Sequence, residues 1–150
     1  MTNPGEVATT FLFEVVAQLE PRLDFGNGPL GRRMFDRVRS GTFDGPRLRG
    51  EILPGSGDPL LRRADGVFVI DARAILRTDD GALILMTYVG RVALPEDANA
   101  DIVDPSRYAI RTAPVFETSA PAYRWLNGVV AIGLGYVGAN TVGYRVSQVL

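Results

Sequence analysis

The chain has 150 residues, 46% of them hydrophobic, and a net charge of −1, the size and composition of one domain with a real core. It contains no Cys and no His, and all 16 basic residues are Arg. That excludes disulfides, thiol nucleophiles, His-based triads, zinc knuckles, iron–sulfur clusters, almost all transition-metal sites, Schiff-base chemistry and the P-loop lysine.

Residues 1–7, "MTNPGEV", read as a frayed start without the pattern of a signal peptide. From 8 to 20, "ATTFLFEVVAQLE" alternates. Phe11, Phe13, Val15, Ala17 and Leu19 share one face; Thr10, Glu14, Gln18 and Glu20 share the other with Leu12 and Val16, which predicts a half-buried strand. "PRLDFGNGPLG" reads as a loop and "RRMFDRVRSG" as a second strand. Between Gly41 and Leu53 a strand places Leu48, Gly50 and Ile52 on one face and Arg47, Arg49 and Glu51 on the other, before the turn "PGSGD". "GVFVIDARAILRT" is the clearest strand, with Phe68, Ile70, Ala72, Ala74 and Leu76 opposite Val69, Asp71, Arg73, Ile75 and Arg77. "DDG" at 79–81 predicts a hairpin turn into "ALILMTYVG". Residues 95–106 are the one helical patch, of one or two turns. "RYAIRTAPVFET" reads as a strand broken at Pro114, "SAPAYRWLNG" as an irregular crossing, and "VVAIGLGYV" with "TVGYRVSQVL" as a terminal hairpin. Eight to ten short strands and at most one or two short helices predict an all-β fold over residues 1–150. A single antiparallel up-and-down barrel is expected, with a two-layer sandwich as the alternative.

Two motifs are decoys. "GLGYVG" at 133–138 matches a dinucleotide fingerprint, but only 12 alternating residues follow it, too few for the helix and acidic residue that the motif needs; hairpin glycines account for it. "PGSG" around Ser56 has no His partner and reads as turn chemistry. Asp79, Asp80, Asp101 and Asp104 lack calcium-loop spacing and suit turns and caps, so no metal is expected.

Acids and bases must come from Asp, Glu or Tyr, and fixed cations from Arg. Asp71 and Arg73 stand at i and i+2 on one strand face. Facing outward they are a surface pair; facing inward they are a carboxylate beside a fixed cation, fit to move a proton or hold an anionic group. Asp58 follows a glycine-rich turn and reads either as an Asx-turn or as a residue at a barrel mouth. Tyr108, Arg111, Glu117, Tyr123, Trp125 and Asn127 suit a pocket wall, and equally a barrel end packed shut. A charge near zero without basic clusters argues against nucleic acid, and no apolar run approaches the ~20 residues of a membrane span. A cytoplasmic protein is expected.

The segments "PLGRRMF", "GTFDGPRLRGEILPGSGD", "DGVFVIDARAILRTDDGALI", "VDPSRYAIRTAPVFET" and "YRWLNGVVAIGLG" together resemble domain of unknown function 3237, also called uncharacterised protein family 0311, over residues 8–150. The resemblance implies a small calycin- or lipocalin-like barrel with a central pocket. Leu48, Gly50, Asp58, Asp71, Arg73, Arg111, Trp125 and Asn127 match its recurrent positions, while Pro59 replaces a frequent Trp and Leu85 and Met86 replace an aromatic, which implies a reshaped pocket. Three functions fit. The first is a cofactor-independent enzyme that folds a hydrophobic, polyketide- or lactone-like molecule for cyclisation, isomerisation or dehydration, with Asp71, Arg73 and Asp58 as catalytic groups and Arg111, Trp125, Asn127, Tyr108, Leu48 and Glu117 around the substrate. The second is a binding protein for a small hydrophobic ligand, and the third a structural subunit. A homodimer through the outer strands is expected.

Overall fold

The structure is a computed structural model and describes residues 4–93 and 109–150. Eleven strand segments form one sheet: β1 (Thr9–Leu19), β2 (Leu23–Gly28), β3 (Gly31–Asp44), β4 (Arg49–Ile52), β5 (Gly57–Asp58), β6 (Leu61–Arg62), β7 (Phe68–Thr78), β8 (Leu83–Ala93), β9 (Ala109–Glu117), β10 (Ala131–Gly138) and β11 (Thr141–Val149). Neighbours in sequence are neighbours in space, and β1 pairs both β3 and β11, so the sheet closes. The short β4, β5 and β6 together fill one stave between β3 and β7, giving an eight-stave antiparallel up-and-down barrel. The all-β barrel reading holds and the sandwich does not. The predicted helix at 95–106 lies outside the described residues. No helix among the described residues is long and apolar enough to cross a membrane.

Several local readings are corrected. "PRLDFGNGPLG" is not loop throughout: Leu23–Gly28 pairs with β3 as a hairpin that stands off the closed wall, and Gly31 takes φ 134 where a Cβ would strike the Arg62 carbonyl at 2.2 Å. The predicted strand from Gly41 to Leu53 is a tight hairpin, since Gly41 faces Ile52 and Asp44 faces Arg49. Leu12 is a bulge in β1 between Phe11 and Phe13, so the alternation breaks there. Phe13, Val15 and Ala17 turn inward as expected, but Phe11 lies outside under the guanidinium of Arg145, 4.1 Å from its ring centre. Strand β9 runs straight through Pro114; β10 pairs in register with β9 only at residues 110–112, and Val115 bridges Val130 just before β10, so the proline sits where the ladder is interrupted. Gly133 and Gly135 are not in the hairpin turn. They are inward positions of β10 kept bare, because a Cβ at 135 would meet Ile110 at 2.7 Å and the Tyr144 ring at 2.8 Å.

The lumen has two unlike halves. At one end Phe13, Phe43, Leu76, Ile84, Leu126 and Val146 are fully buried, and Phe13 meets Phe43 and Phe116 edge to face at 5.7 and 5.9 Å. The 3₁₀ segment Pro121–Gly128, the predicted irregular crossing, closes this end with Leu126. At the other end, where β1 finishes and β7 begins, the wall lines a cavity of about 240 Å³.

Candidate functional site

The cavity wall is mostly aliphatic, drawn from the inward phase of each strand: Val15 and Leu19 from β1, Ile70 and Ala74 from β7, Met86 from β8 and Val142 from β11. Six polar residues border it: Arg22, Asp36, Asp58, Arg73, Tyr88 and Tyr144. Asp36 lies on β3 between the inward Met34 and Val38, and its side chain is 15% exposed. Arg22 comes from the turn after β1 and grips Asp36 with two hydrogen bonds, at 2.7 and 2.8 Å, Nε and Nη2 each donating to one carboxylate oxygen.

Asp58 sits on the two-residue β5, directly opposite Asp36 on β3. Its Oδ1 accepts a hydrogen bond of 3.0 Å from the Asp71 main-chain N–H. Burial pushes its pKa up from 3.8 to about 6, and the negative charge of Asp36 adds to the rise against the Asp71 hydrogen bond. Deeper in, Tyr88 and Tyr144 meet edge to face with ring centres 5.4 Å apart. Burial raises both phenols well above the usual tyrosine value, and the Asp58 charge contributes to each. They stay neutral and can donate or accept a hydrogen bond. The hollow end therefore holds a carboxyl that gains and loses a proton near neutrality, two neutral phenols and one ion pair, in an aliphatic chamber.

The sequence-predicted residues scatter around this site. Asp58 lines the cavity. Asp71 and Arg73 do not point into it: they form a 2.8 Å ion pair on the outer wall, with side chains 52% and 53% exposed. Arg73 nonetheless borders the cavity, opposite its register partner Gly57. The alternation that turns Ile70, Ala72 and Ala74 inward forces both outward. Asp71→Asn and Arg73→Ala are each expected to change stability by under about 1 kcal/mol, as for exposed ion pairs. Urea unfolding of each variant beside wild type checks this.

The remaining candidates belong elsewhere. Leu48 is in the packed core. Trp125 lies under Arg47, 3.6 Å from the guanidinium, and Asn127 exchanges hydrogen bonds of 2.8 and 2.9 Å with the Thr118 main chain, so both fasten the closed end. Glu117 and Arg111 are exposed on the outside of β9, and Tyr108, like Asp101 and Asp104, is outside the described residues. Ser56 is turn chemistry, donating to the Leu53 carbonyl and accepting from the Ile75 N–H, both at 2.8 Å. Asp80 accepts from Thr78 and from the Tyr123 hydroxyl, joining the β7–β8 turn to the 3₁₀ segment.

Arg22, Asp36, Tyr88 and Tyr144 escaped the sequence reading. Three carried a signal. Asp36 and Tyr88 occupy the apolar phase of their strands, Met34–Asp36–Val38 and Ile84–Met86–Tyr88, and Tyr144 stands between Val142 and Val146. A polar residue in an inward phase is a candidate for the lumen.

Comparison with known proteins agrees with the barrel. A family model described as a protein of unknown function (DUF3237) matches residues 7–149. A UPF0311 protein of Clostridium acetobutylicum is 32% identical over 132 residues, 84% of either chain. A hydroalkoxylation enzyme of Penicillium herquei is 29% identical over 132 residues, 88% of this chain and 76% of that one. A crystal structure of a beta-barrel like protein from Acinetobacter baumannii superposes with a TM-score of 0.87 at 31% identity over 100% of both chains. An enzyme from Penicillium herquei superposes at 0.72 and 24% identity over 100% of this chain and 99% of the other, a likeness of fold.

Proposed function

The chain belongs to the DUF3237 family, and with that as premise we propose that it is an enzyme acting on a small, largely apolar molecule, with Asp58 as its proton carrier. The observation that carries this reading is a carboxyl with its pKa raised to about 6, set in an aliphatic lumen beside two neutral tyrosines. A group that titrates near the working pH is present in both protonation states and can give a proton and take one back. Cyclisation is the reaction that this favours, and the hydroalkoxylation activity named for the Penicillium herquei relative supports it.

In such a ring closure a hydroxyl adds across a carbon–carbon double bond of the same molecule. The C–O bond forms, the π bond is consumed, one carbon gains a proton and the oxygen loses one, so composition is unchanged. The protonated Asp58 supplies the first proton and its carboxylate accepts the second. Tyr88 and Tyr144 are placed to hydrogen-bond the reacting oxygen, and the aliphatic wall folds the chain toward attack and keeps water away from the developing charge. The Arg22–Asp36 pair orients the polar end of the molecule at the mouth.

Incubation with a series of 2-alkenylphenols in D2O buffer is expected to yield cyclic ethers carrying one carbon-bound deuterium, seen by mass spectrometry and NMR. Phenols that bind but return unchanged would make the barrel a carrier. Neither binding nor turnover across alkenyl phenols and alkenyl alcohols of fitting size would sink the enzyme reading.

A further inference from the structure

The outer wall is charged over much of its circumference but not across β8–β10. There Leu85, Val89, Val115, Val130 and Leu134 are between 39% and 58% exposed, and Val115 of β9 makes a bridge with Val130, the residue before β10. Charge surrounds this face. On β7 lies the Asp71–Arg73 pair, Arg77 of β7 pairs with Glu51 of β4, and on β11 stands Arg145 over Phe11. Arg91 and Arg111 lie directly opposite each other at one end of the face, and Glu117 lies opposite Leu85 at the other. An apolar patch with a polar rim marks a contact surface rather than a solvated wall.

We propose that this face is the contact of a two-fold homodimer. Strand pairing between chains is not available here, because β8, β9 and β10 have neighbours on both sides in the closed sheet; contact must be face to face. The charge pattern selects a second copy of this chain as the occupant. Like charges opposed across strands repel. Among the described residues, Arg91 and Arg111 donate only to the main-chain carbonyls of Gly90 and Ile110, and Glu117 makes no ion pair. A two-fold axis lying in the contact plane and perpendicular to the strands, at the level between Val89 and Val115, lays the arginine end of one copy on the glutamate end of the other. The same rotation stacks the apolar middle on itself. A face positive at one end, negative at the other and apolar between is complementary to itself under that operation.

Sedimentation equilibrium of the full chain, from low to high micromolar concentration, tests the arrangement. Wild type is expected to be dimeric, V115E monomeric with its circular dichroism and melting intact, and R111E or E117R weakened by roughly tenfold or more in Kd. Combining R111E with E117R reverses both ends at once and restores association. A monomeric wild type, a folded V115E that still dimerises, or a double variant no better than the single ones would each overturn the proposal.

Discussion

Asp58→Asn lowers the rate of any proton-dependent turnover by about 10²–10⁴-fold and makes the folded chain more stable at neutral pH. Both effects have one origin. The folded carboxyl titrates near 6 and the unfolded one near the ordinary 3.8, because burial in the barrel wall penalises the charge. Below about pH 3.8 both states hold the proton and the group adds nothing to the balance. Between there and pH 6 the folded state binds more protons, so stability falls as pH rises. Above pH 6 the whole cost is present, and a shift of about two units corresponds to roughly 3 kcal/mol. Asparagine never ionises, and its side-chain oxygen can still accept from the Asp71 N–H. Urea unfolding of wild type and D58N at pH 4.5 and 7.5 reads this directly. The variant should gain about 2 kcal/mol over wild type between the two pH values, since roughly 1 kcal/mol of the cost is already present at pH 4.5. Parallel pH slopes would show that Asp58 titrates as an ordinary carboxyl, and undiminished turnover would remove it from the chemistry. A stabilised but inactive variant is the mark of a charge held in place for function rather than for folding.

Which features were legible follows from how far each depends on its own strand. The alternation in "FVIDARAIL" contains nearly all the information needed to place β7, and the barrel inherits its inner face from Ile70, Ala72 and Leu76. The same pattern already held the answer for Asp71 and Arg73, since residues out of phase with an apolar row face solvent in a one-layer wall. Motif-like spacing suggested a site where periodicity predicted a surface pair. The bulge at Leu12 could not be read, because an inserted residue is defined by the partner strand, here β11. Asp58 was named, but its altered proton affinity arises from burial behind β3 and β7 and, to a lesser extent, from Asp36 across the ladder, neither of which is local in sequence. Arg22 lies in a turn with no periodicity at all. Its role appears only when β3 brings Asp36 within 2.7 Å. Local order fixes the wall; the site is made by what the closed sheet places opposite.

Phe13→Ala is expected to be the most damaging single substitution for stability, at about 3–5 kcal/mol. Phe13 is wholly buried and carries two edge-to-face ring contacts, with Phe43 and Phe116, each worth about 0.5–1.5 kcal/mol beyond the area it buries. Domains of this size unfold with about 5–15 kcal/mol, so the variant should lose a third or more of its stability and melt on the order of 10 °C lower. The same logic separates the two halves of the lumen at constant chemistry. Leu76→Ala removes a wholly buried side chain from the packed end, where the neighbouring rings and β-branched side chains cannot collapse into the gap, and should cost about 3–4 kcal/mol. Leu60→Ala removes the same atoms from the rim of an existing cavity and should cost about 2–3 kcal/mol, because its contacts are already fewer. Denaturant unfolding of the three variants checks the order Phe13 ≥ Leu76 > Leu60. Equal losses at Leu76 and Leu60 would mean that the lumen is uniformly packed, and the chamber that Asp58 faces would no longer be a place for a ligand. The predicted inequality lets one barrel do both jobs: the packed end keeps the sheet closed, so the hollow end can hold a carboxyl away from water.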